Sequence, residues 1–435
     1  MNCAESKPSS EEEENYDFKR ISYKGYHLFR IWPRSDDTIE NLKILSEQPN
    51  VQLWLPPVKN MSVDIVLPPN IISSIKEELK ENSIEFSILS TDIQKLISDQ
   101  NPRHSDSRWK FKNEQTNKFT WTHYHSLDDI SNYLEYLRST YSNFVDLITI
   151  GKSAEGRDLK VIRISSDKSD IESLKPAIWI DAGVHAREWI SPAVALFIIK
   201  QLVEFNNTNK NLTQNVDWYI LPVSNPDGYI YTHTTDRLWK KSRSTDDGFR
   251  NRYFWEESDC KGVDLNRNWD FRWNEDGSSE NPCHDTYAGR HPFSEPETRA
   301  MSNFILEHRD RIIIYLTLHS YSQMWLMPSN PTKSKSNDYD DLLYMGRKAV
   351  ESLKKLHGTN YKLVAKHNIF YPTSGNSDDW AKNKVGIKYS YTIELRDRGT
   401  YGFLLPPSEI IPTGKEIFTA IRTLTKSVLI NALDS

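Results

Sequence analysis

Short apolar segments alternate with amphipathic helical segments from residue 119 onward, and this alternation constrains the fold more than any other feature of the chain. Five segments have the near-continuous apolar character of strands that are buried on both faces: 159–164, 177–180, 218–221, 312–318 and 389–393. Helical patterns lie between and after them, at 192–205, 341–356 and 417–433. Buried strands interleaved with helices predict an α/β domain with both sheet faces covered, in which functional groups lie at the strand ends.

Two residue pairs and one single residue are predicted to start helices. Ser126 with Asp129, and Ser294 with Glu297, have the spacing of a capping box, in which the two side chains satisfy each other's backbone N–H groups. Asn70 precedes an apolar stripe at helical spacing and is therefore a candidate N-cap.

Residues 26–100 carry a second, smaller pattern with the element order β-α-β-β-α-β. Strands are indicated at 26–32, 51–55, 61–67 and 84–88, and helical spacing begins near residues 39 and 71. This order is that of the ferredoxin-like open sandwich. The segment has no convergent polar cluster, which favours a covering or folding role over a catalytic one. It also lacks the basic charge and the aromatic string of an RNA-binding module.

The remaining stretches are polar. Residues 1–20 contain the acidic run 11–14 and predict a disordered tail in which no secretory signal is visible. Residues 101–118 contain five Lys or Arg residues and predict an exposed linker that trypsin-like proteases would cut.

The net charge of −5 argues against a nucleic-acid or anionic-membrane partner, and no segment is apolar enough to span a bilayer. Sequons at Asn60, Asn206 and Asn211 are only weak indications of secretion.

Two histidines and a glutamate follow buried strands and are candidate metal ligands. His185 and Glu188 come directly after the strand AIWIDA, and His319 ends the strand IIIYLTLHS. The pair His-x-x-Glu alone is a weak signal. Together with a second strand-end histidine, however, it forms the donor set of a catalytic zinc, with a fourth position left for water.

The chain resembles the zinc metallocarboxypeptidases of the pancreatic A/B type together with their propeptide. The resemblance runs from residue 26 to the end, and it rests on the strings DAGVHAREW, GVDLNRNWD, LHSYSQ, SGNSDDW and ELRDRGTYGFLLP, with one extra residue between Trp380 and Gly386. It implies a large mixed-sheet α/β/α catalytic domain at 119–435. It also implies that the ferredoxin-like α+β domain at 21–100 is the inhibitory propeptide and that 101–118 is the activation linker.

The resemblance also implies a role for each matching residue. His185, Glu188 and His319 would hold one Zn²⁺, and Asp264 would accept the other ring N–H of His185. Glu394 would be the general base, which takes a proton from the attacking water and passes it to the leaving amine. Lys240 stands where the family usually has the arginine that stabilises the oxyanion, so it keeps the charge and loses the planar fork. Residues implied in substrate binding are Arg187, Asn266, Arg267, Ser320, Tyr321, Tyr371 and Phe403.

Asp378 is expected to set the side-chain preference, because its position in the family lies at the floor of the pocket for the C-terminal residue. A carboxylate in a water-poor pocket selects a cation, so the prediction is a B-type enzyme that removes C-terminal Lys or Arg. Lys366 lies at another pocket position. If its ammonium points inward it would neutralise Asp378 and favour an A-type preference for apolar or aromatic residues. A non-catalytic, carboxypeptidase-like binding protein is the alternative from a different class.

Family membership further implies a secreted zymogen whose substrates are peptide or protein C-termini and whose activator is a trypsin-like protease. Cys260 and Cys283 match the family's disulfide pair, which requires an oxidising compartment, and Cys3 is left over in the tail. A monomer is the default expectation.

Overall fold

The computed structural model describes residues 20–101, 119–166, 175–245, 260–329, 338–366 and 373–434. The predicted tail and linker therefore lie outside the described residues, apart from Arg20 and Asn101, and so does Tyr371. Two sheets organise the described residues, one of four strands and one of eight.

The smaller sheet is antiparallel and has the strand order β2-β3-β1-β4, which confirms the ferredoxin-like prediction. Its elements are β1 (His27–Trp32), α1 (Asp36–Ser46), β2 (Gln52–Leu53), β3 (Val63–Leu67), α2 (Ile72–Glu81), β4 (Glu85–Ser90) and α3 (Ile93–Gln100). Strand β2 is shorter than predicted, because the chain bends at Trp54 and Leu55 ahead of Pro56 and Pro57. Helix α3 is not indicated by the sequence pattern.

The larger sheet and its helices are built from the rest of the described chain. Its elements are α4 (Leu127–Thr140), β5 (Val145–Lys152), β6 (Asp158–Ile164), β7 (Ala177–Ala182), α5 (Ile190–Val203), α6 (Asn206–Asn215), β8 (Asp217–Leu221), α7 (Pro226–Thr234), α8 (Pro296–Glu307), β9 (Ile312–His319), β10 (Met324–Met327), α9 (Tyr339–His357), β11 (Lys362–Ala365), α10 (Ser377–Trp380), β12 (Tyr389–Glu394) and α11 (Ile410–Asp434). All five predicted strands and all three predicted helices are present.

The eight strands have the order β11-β10-β12-β9-β7-β8-β6-β5, with parallel pairing from β12 through β9 and β7 to β8 and antiparallel pairs on both sides of this block. One face packs against a core to which α4, α5, α9 and α11 contribute, and the other packs against α8. This mixed sheet with both faces covered confirms the predicted α/β architecture.

The helix starts differ in part from the predictions. The Ser126–Asp129 capping box is present at α4. The prediction for Ser294 and Glu297 is wrong, since the N-cap of α8 is Glu295 and Glu297 is buried, where it accepts a hydrogen bond from Ala154 N at 2.9 Å. The prediction for Asn70 is also wrong, because α2 starts after Ile71 without a side-chain cap.

The extra residue after Trp380 is accommodated in the helix that contains Asp378. Directly after α10, residues Ala381–Val385 form a π-turn that ends at Gly386, whose φ is +89°. A π-turn is the usual way in which a helix takes up one additional residue, and a positive φ is readily adopted by glycine. The residues before the insertion therefore keep their place in the helix.

Candidate active site

The ends of three parallel strands bring together the predicted metal-binding and catalytic side chains. His185 and Glu188 lie in the segment between β7 and α5, where Gly183 at φ +66° turns the chain over the strand end. His319 is the last residue of β9, and Glu394 is the last residue of β12. The register of β9 and β12 places Glu394 opposite His319, so the two side chains share one edge of the sheet.

Three of these side chains form a compact donor cluster. The ligand atoms of His185, Glu188 and His319 lie within 4.8 Å of one another, and all three residues are buried. Nδ1 of His185 is 2.8 Å from Glu188 Oε1, and Nδ1 of His319 is 3.2 Å from Glu188 Oε2. The two imidazoles therefore direct the same ring nitrogen toward the carboxylate, as ligands of one ion would.

The electrostatics of the cluster follow from burial and mutual charge. Burial raises the pKa of Glu188, but the neighbouring His185 and His319 outweigh this effect and lower it to about 2. For His319 burial lowers the pKa and Glu188 raises it, with a net rise to about 9. Burial also raises the pKa of Glu394 to about 7, with His319 opposing the rise. A carboxylate with a pKa near neutrality is well suited to accept and return a proton.

Asp264 orients His185 from the other side of the ring. Its Oδ1 lies 2.9 Å from His185 Nε2, and its Oδ2 accepts a hydrogen bond from Lys240 Nζ at 2.6 Å. Lys240 also donates to the carbonyl of Asp285 at 3.1 Å. Burial would raise the pKa of Asp264, but Lys240 and His185 hold it well below its usual range. The ammonium of Lys240 is thus part of the network that holds a metal ligand.

Asn266 and Arg267 lie in the same loop and retain unused donors. Arg267 donates through Nε to Gly277 O at 3.0 Å and through Nη1 to Asn266 O and Asn376 Oδ1 at 2.9 and 3.1 Å. Asn266 Oδ1 accepts from Ser377 N at 3.1 Å. Within the described ranges, Arg267 Nη2 and Asn266 Nδ2 make no hydrogen bond. Two fixed donors of this kind could receive the two oxygens of a carboxylate.

Asp378 and Lys366 form a buried ion pair. Lys366 Nζ contacts Asp378 Oδ1 and lies 3.7 Å from Asp379 Oδ2. Asp379 is otherwise occupied, because its Oδ1 accepts from Ser329 N at 2.6 Å. Asp378 Oδ2 is buried without a hydrogen-bond partner among the described residues. Burial raises the pKa of Asp378, and Lys366 opposes this rise.

The remaining predicted substrate-binding residues lie together beside the cluster. Ser320 N donates to Glu188 Oε2 at 3.1 Å, so this residue is adjacent to the metal ligand. Arg187 pairs with Asp285 at 3.3 Å, and its guanidinium lies 4.4 Å from the centre of the Phe403 ring. Tyr321 and Phe403 rings contact each other edge to face at 5.1 Å.

The small domain covers this aromatic pair. Trp54 packs against Tyr321 and Phe403, with ring centroids 6.1 and 5.2 Å apart. Tyr321 OH donates to Asp64 Oδ2 at 2.6 Å, and Asp64 is held by Arg30 at 2.7 Å. Two of the side chains predicted to bind substrate, Tyr321 and Phe403, are therefore engaged by the N-terminal domain.

Two residues that contact the predicted site residues could not be identified from the sequence. Arg237 is buried and donates to Arg187 O, Phe403 O and Gln100 Oε1 at 2.9, 2.7 and 2.8 Å, so it joins the site to the small domain. Asp285 binds both Arg187 and Lys240. Asp285 reads as an ordinary loop acid in the sequence. Arg237 gave no signal beyond lying three residues before Lys240.

The arrangement has known counterparts. Residues 130–420 match the zinc carboxypeptidase family, and residues 29–100 match the carboxypeptidase activation peptide. The chain belongs to the zinc carboxypeptidase family. It is 44% identical to carboxypeptidase B of Astacus astacus over 71% of this chain and 98% of that protein, and 34% identical to carboxypeptidase A1 of Mus musculus over 94% of each. The crystal structure of thrombin activatable fibrinolysis inhibitor superposes with a TM-score of 0.83 at 33% identity, covering 93% of this chain and 99% of that one.

The donor cluster of this zinc carboxypeptidase fits the metal of its family. Two imidazole nitrogens and one carboxylate are the protein ligands expected of a catalytic zinc. The second nitrogen of His185 is already occupied by Asp264, which leaves Nδ1 for the ion.

Cys260 and Cys283 form the predicted disulfide, with their Cα atoms 4.9 Å apart. In the part of the chain described here, no helix is long and apolar enough to cross a membrane.

Proposed function

We propose that the chain is the secreted zymogen of an exopeptidase that removes C-terminal Lys or Arg. The observation that carries the preference is the buried Asp378 Oδ2, an acceptor without a partner among the described residues. Its pocket contains two carboxylates, Asp378 and Asp379, against the single ammonium of Lys366. The pocket thus has one negative charge in excess, and a substrate cation would compensate it.

Recognition of the chain terminus falls to Asn266 and Arg267. Their unused donors lie in the loop that also supplies Asp264, next to the ligand His185. A free α-carboxylate accepts two hydrogen bonds from such a pair, whereas an internal peptide bond offers one neutral oxygen. This difference would restrict the enzyme to the last residue of a peptide. Tyr371, which lies outside the described residues, is proposed to close over the bound terminus.

Proton transfer falls to Glu394. Zinc, when bound by His185, Glu188 and His319, acts as a Lewis acid that polarises the scissile carbonyl and makes water more nucleophilic. Glu394 stands at the same sheet edge as His319 and, with its raised pKa, would hold the proton of the attacking water and return it to the leaving amine. Lys240 would supply positive charge near the developing oxyanion while it stabilises Asp264.

Latency follows from the small domain, which we propose to span 21–100. Trp54 and Asp64 engage Tyr321, and Gln100 donates to Phe403 O and Leu405 O, both at 3.1 Å. A peptide substrate cannot contact these groups until the domain leaves. Cleavage by a trypsin-like protease within 101–118 would release the catalytic domain, at 119–435, as a monomer.

The test is limited trypsin treatment followed by mass spectrometry of two blocked peptides that end in Arg and in Phe. The expected result is faster loss of the terminal Arg than of the terminal Phe, and a zinc chelator should abolish both. Loss of the terminal Phe alone would instead support the second candidate, an A-type preference, which is favoured by the contact between Lys366 and Asp378. No chelator-sensitive loss from either peptide after cleavage would refute the proposed activity.

A further inference from the structure

Lys366 occupies an unusual place for a lysine, and the function proposed above gives it no role. It follows β11 directly and is 8% exposed, and its ammonium lies between Asp378 and Asp379. Strand β11 pairs with β10, so Lys366 enters the pocket from the neighbouring strand and not from the helix that carries Asp378. Its presence is therefore independent of the SGNSDDW segment that predicts the substrate preference.

The two oxygens of Asp378 have different surroundings. Oδ1 is in contact with the Lys366 ammonium, while Oδ2 is buried and without a hydrogen-bond partner in the described structure. The neighbouring carboxylate of Asp379 is held by Ser329 N and by Asn376 Nδ2, the latter at 3.4 Å. Asp378 Oδ2 is thus the oxygen of this group without a hydrogen-bond partner among the described residues, although the Thr392 hydroxyl also opposes the rise in the pKa of Asp378.

An uncharged substrate side chain meets a different situation here than it would above an unpaired aspartate. Burial of an apolar side chain over an unpaired carboxylate leaves the charge without water or counter-ion, which is strongly unfavourable. In this pocket the Lys366 ammonium already compensates Asp378, so that an uncharged substrate side chain covers an ion pair and not an unpaired charge. The penalty that would exclude uncharged residues is correspondingly reduced.

We propose that Lys366 is a specificity-determining residue that broadens the pocket to both basic and uncharged C-terminal residues. The inference rests on the proposed function, since it concerns the same pocket. Basic side chains bind Asp378 Oδ2, and uncharged side chains pack over the Lys366–Asp378 pair. C-terminal Asp and Glu are excluded, because the ammonium is already directed at two carboxylates and the group keeps a negative charge in excess.

The trypsin-activated enzyme and its K366M variant test this proposal with three blocked peptides that differ only in a terminal Arg, Leu or Glu. Methionine keeps an unbranched chain of similar length and removes the ammonium. In the wild type, kcat/KM for Arg and Leu should agree within about 100-fold, because Asp378 is already paired with Lys366 and an uncharged side chain is only weakly disfavoured. Glu should not be released, because the group keeps a negative charge in excess. In K366M the Arg-to-Leu ratio should rise at least about tenfold, because Leu must now cover an unpaired carboxylate.

A matched control is K362M on the same strand, where the side chain is exposed and the ratio should not change. A ratio in K366M within about twofold of the wild type would overturn the proposal, as would an equal fall for both peptides, which would indicate a general loss of catalysis. If K366M does not fold, the wild type decides: preference for Arg over Leu by more than about 1,000-fold would overturn the proposal. Inactivity of the cleaved wild type toward all three peptides would instead refute the proposed function.

Discussion

Trp54 of the activation peptide should be a residue whose removal makes the uncleaved zymogen active. It is 3% exposed and belongs to an apolar cluster with Tyr321, Phe403 and Leu404 of the catalytic domain. Its backbone N–H donates to Asp64 O at 2.8 Å, and its ring nitrogen has no hydrogen-bond partner among the described residues. W54A therefore removes packing at the interface without removing a hydrogen bond.

The size of the effect follows from the buried ring. Replacement of a buried Trp by Ala costs about 3–5 kcal/mol, which agrees with about 200 Å² of apolar surface at about 25 cal/mol per Å². Part of this loss falls on contacts within the small domain, such as those with Leu28 and Val66. If about 2–3 kcal/mol falls on the interface, the open fraction of the zymogen rises about 30- to 150-fold.

The assay compares the activity of the uncleaved zymogen with the activity of the same sample after trypsin treatment. W54A should raise this ratio by about 30-fold or more, while the fully cleaved W54A and wild-type enzymes should be equal, because the substituted domain has left. I44A is the matched control, since Ile44 lies in the same domain and is 55% exposed. A W54A ratio equal to that of I44A and the wild type would refute the role of Trp54 in latency.

Three further predictions concern the charges of the catalytic domain. K240M removes the cation at Asp264 and should lower zinc affinity about 10- to 100-fold in chelator competition, whereas K240R should retain it. Zinc binding to the metal-free protein at about pH 7.5 should release a proton, because Glu188 outweighs burial and raises the pKa of His319 to about 9. Calorimetry in two buffers of different ionisation enthalpy measures this proton release, and equal heats of binding in the two buffers would contradict the prediction. Burial raises the pKa of Glu297 from 4.5 to about 8, so the native state should lose stability as the pH rises through this interval. The E297Q variant should therefore flatten the dependence of the melting temperature on pH. Parallel curves for the variant and the wild type would exclude Glu297 as the source of this dependence.

The central strands and the donor cluster could be predicted because each depends on local sequence. A continuous apolar run such as 312–318 identifies a buried strand whatever its neighbours are, and the polar residue that ends it must lie at the sheet edge. The short strands β10 and β11 were missed because four residues carry too little periodicity to distinguish a strand from a loop.

Pairings between distant residues could not be predicted from a one-dimensional pattern. Ser294 and Glu297 have the spacing of a capping box, yet Glu297 binds Ala154 and Ser294 receives a hydrogen bond from Asn268 Nδ2 at 2.9 Å. In the same way, the sequence alone does not determine whether the ammonium of Lys366 points inward or outward. The parallel pairing of β11 with β10 directs its ammonium inward, and only the assembled sheet contains that information.

The separation between the proposed base and the metal site depends on strand register more than on the residues of the site. Glu394 is opposite His319 because buried pairs such as Tyr391 and Leu316 align β12 with β9, and Leu395 N donates to His319 O at 2.9 Å just beyond the pair. Side chains alternate between the two faces of a strand, so a slip of one residue would turn Glu394 away from the cluster. Substitutions that loosen this buried pairing should therefore reduce proton transfer even though they contact neither metal ligand nor substrate, while zinc binding, which depends on the segment after β7 and on His319, is retained.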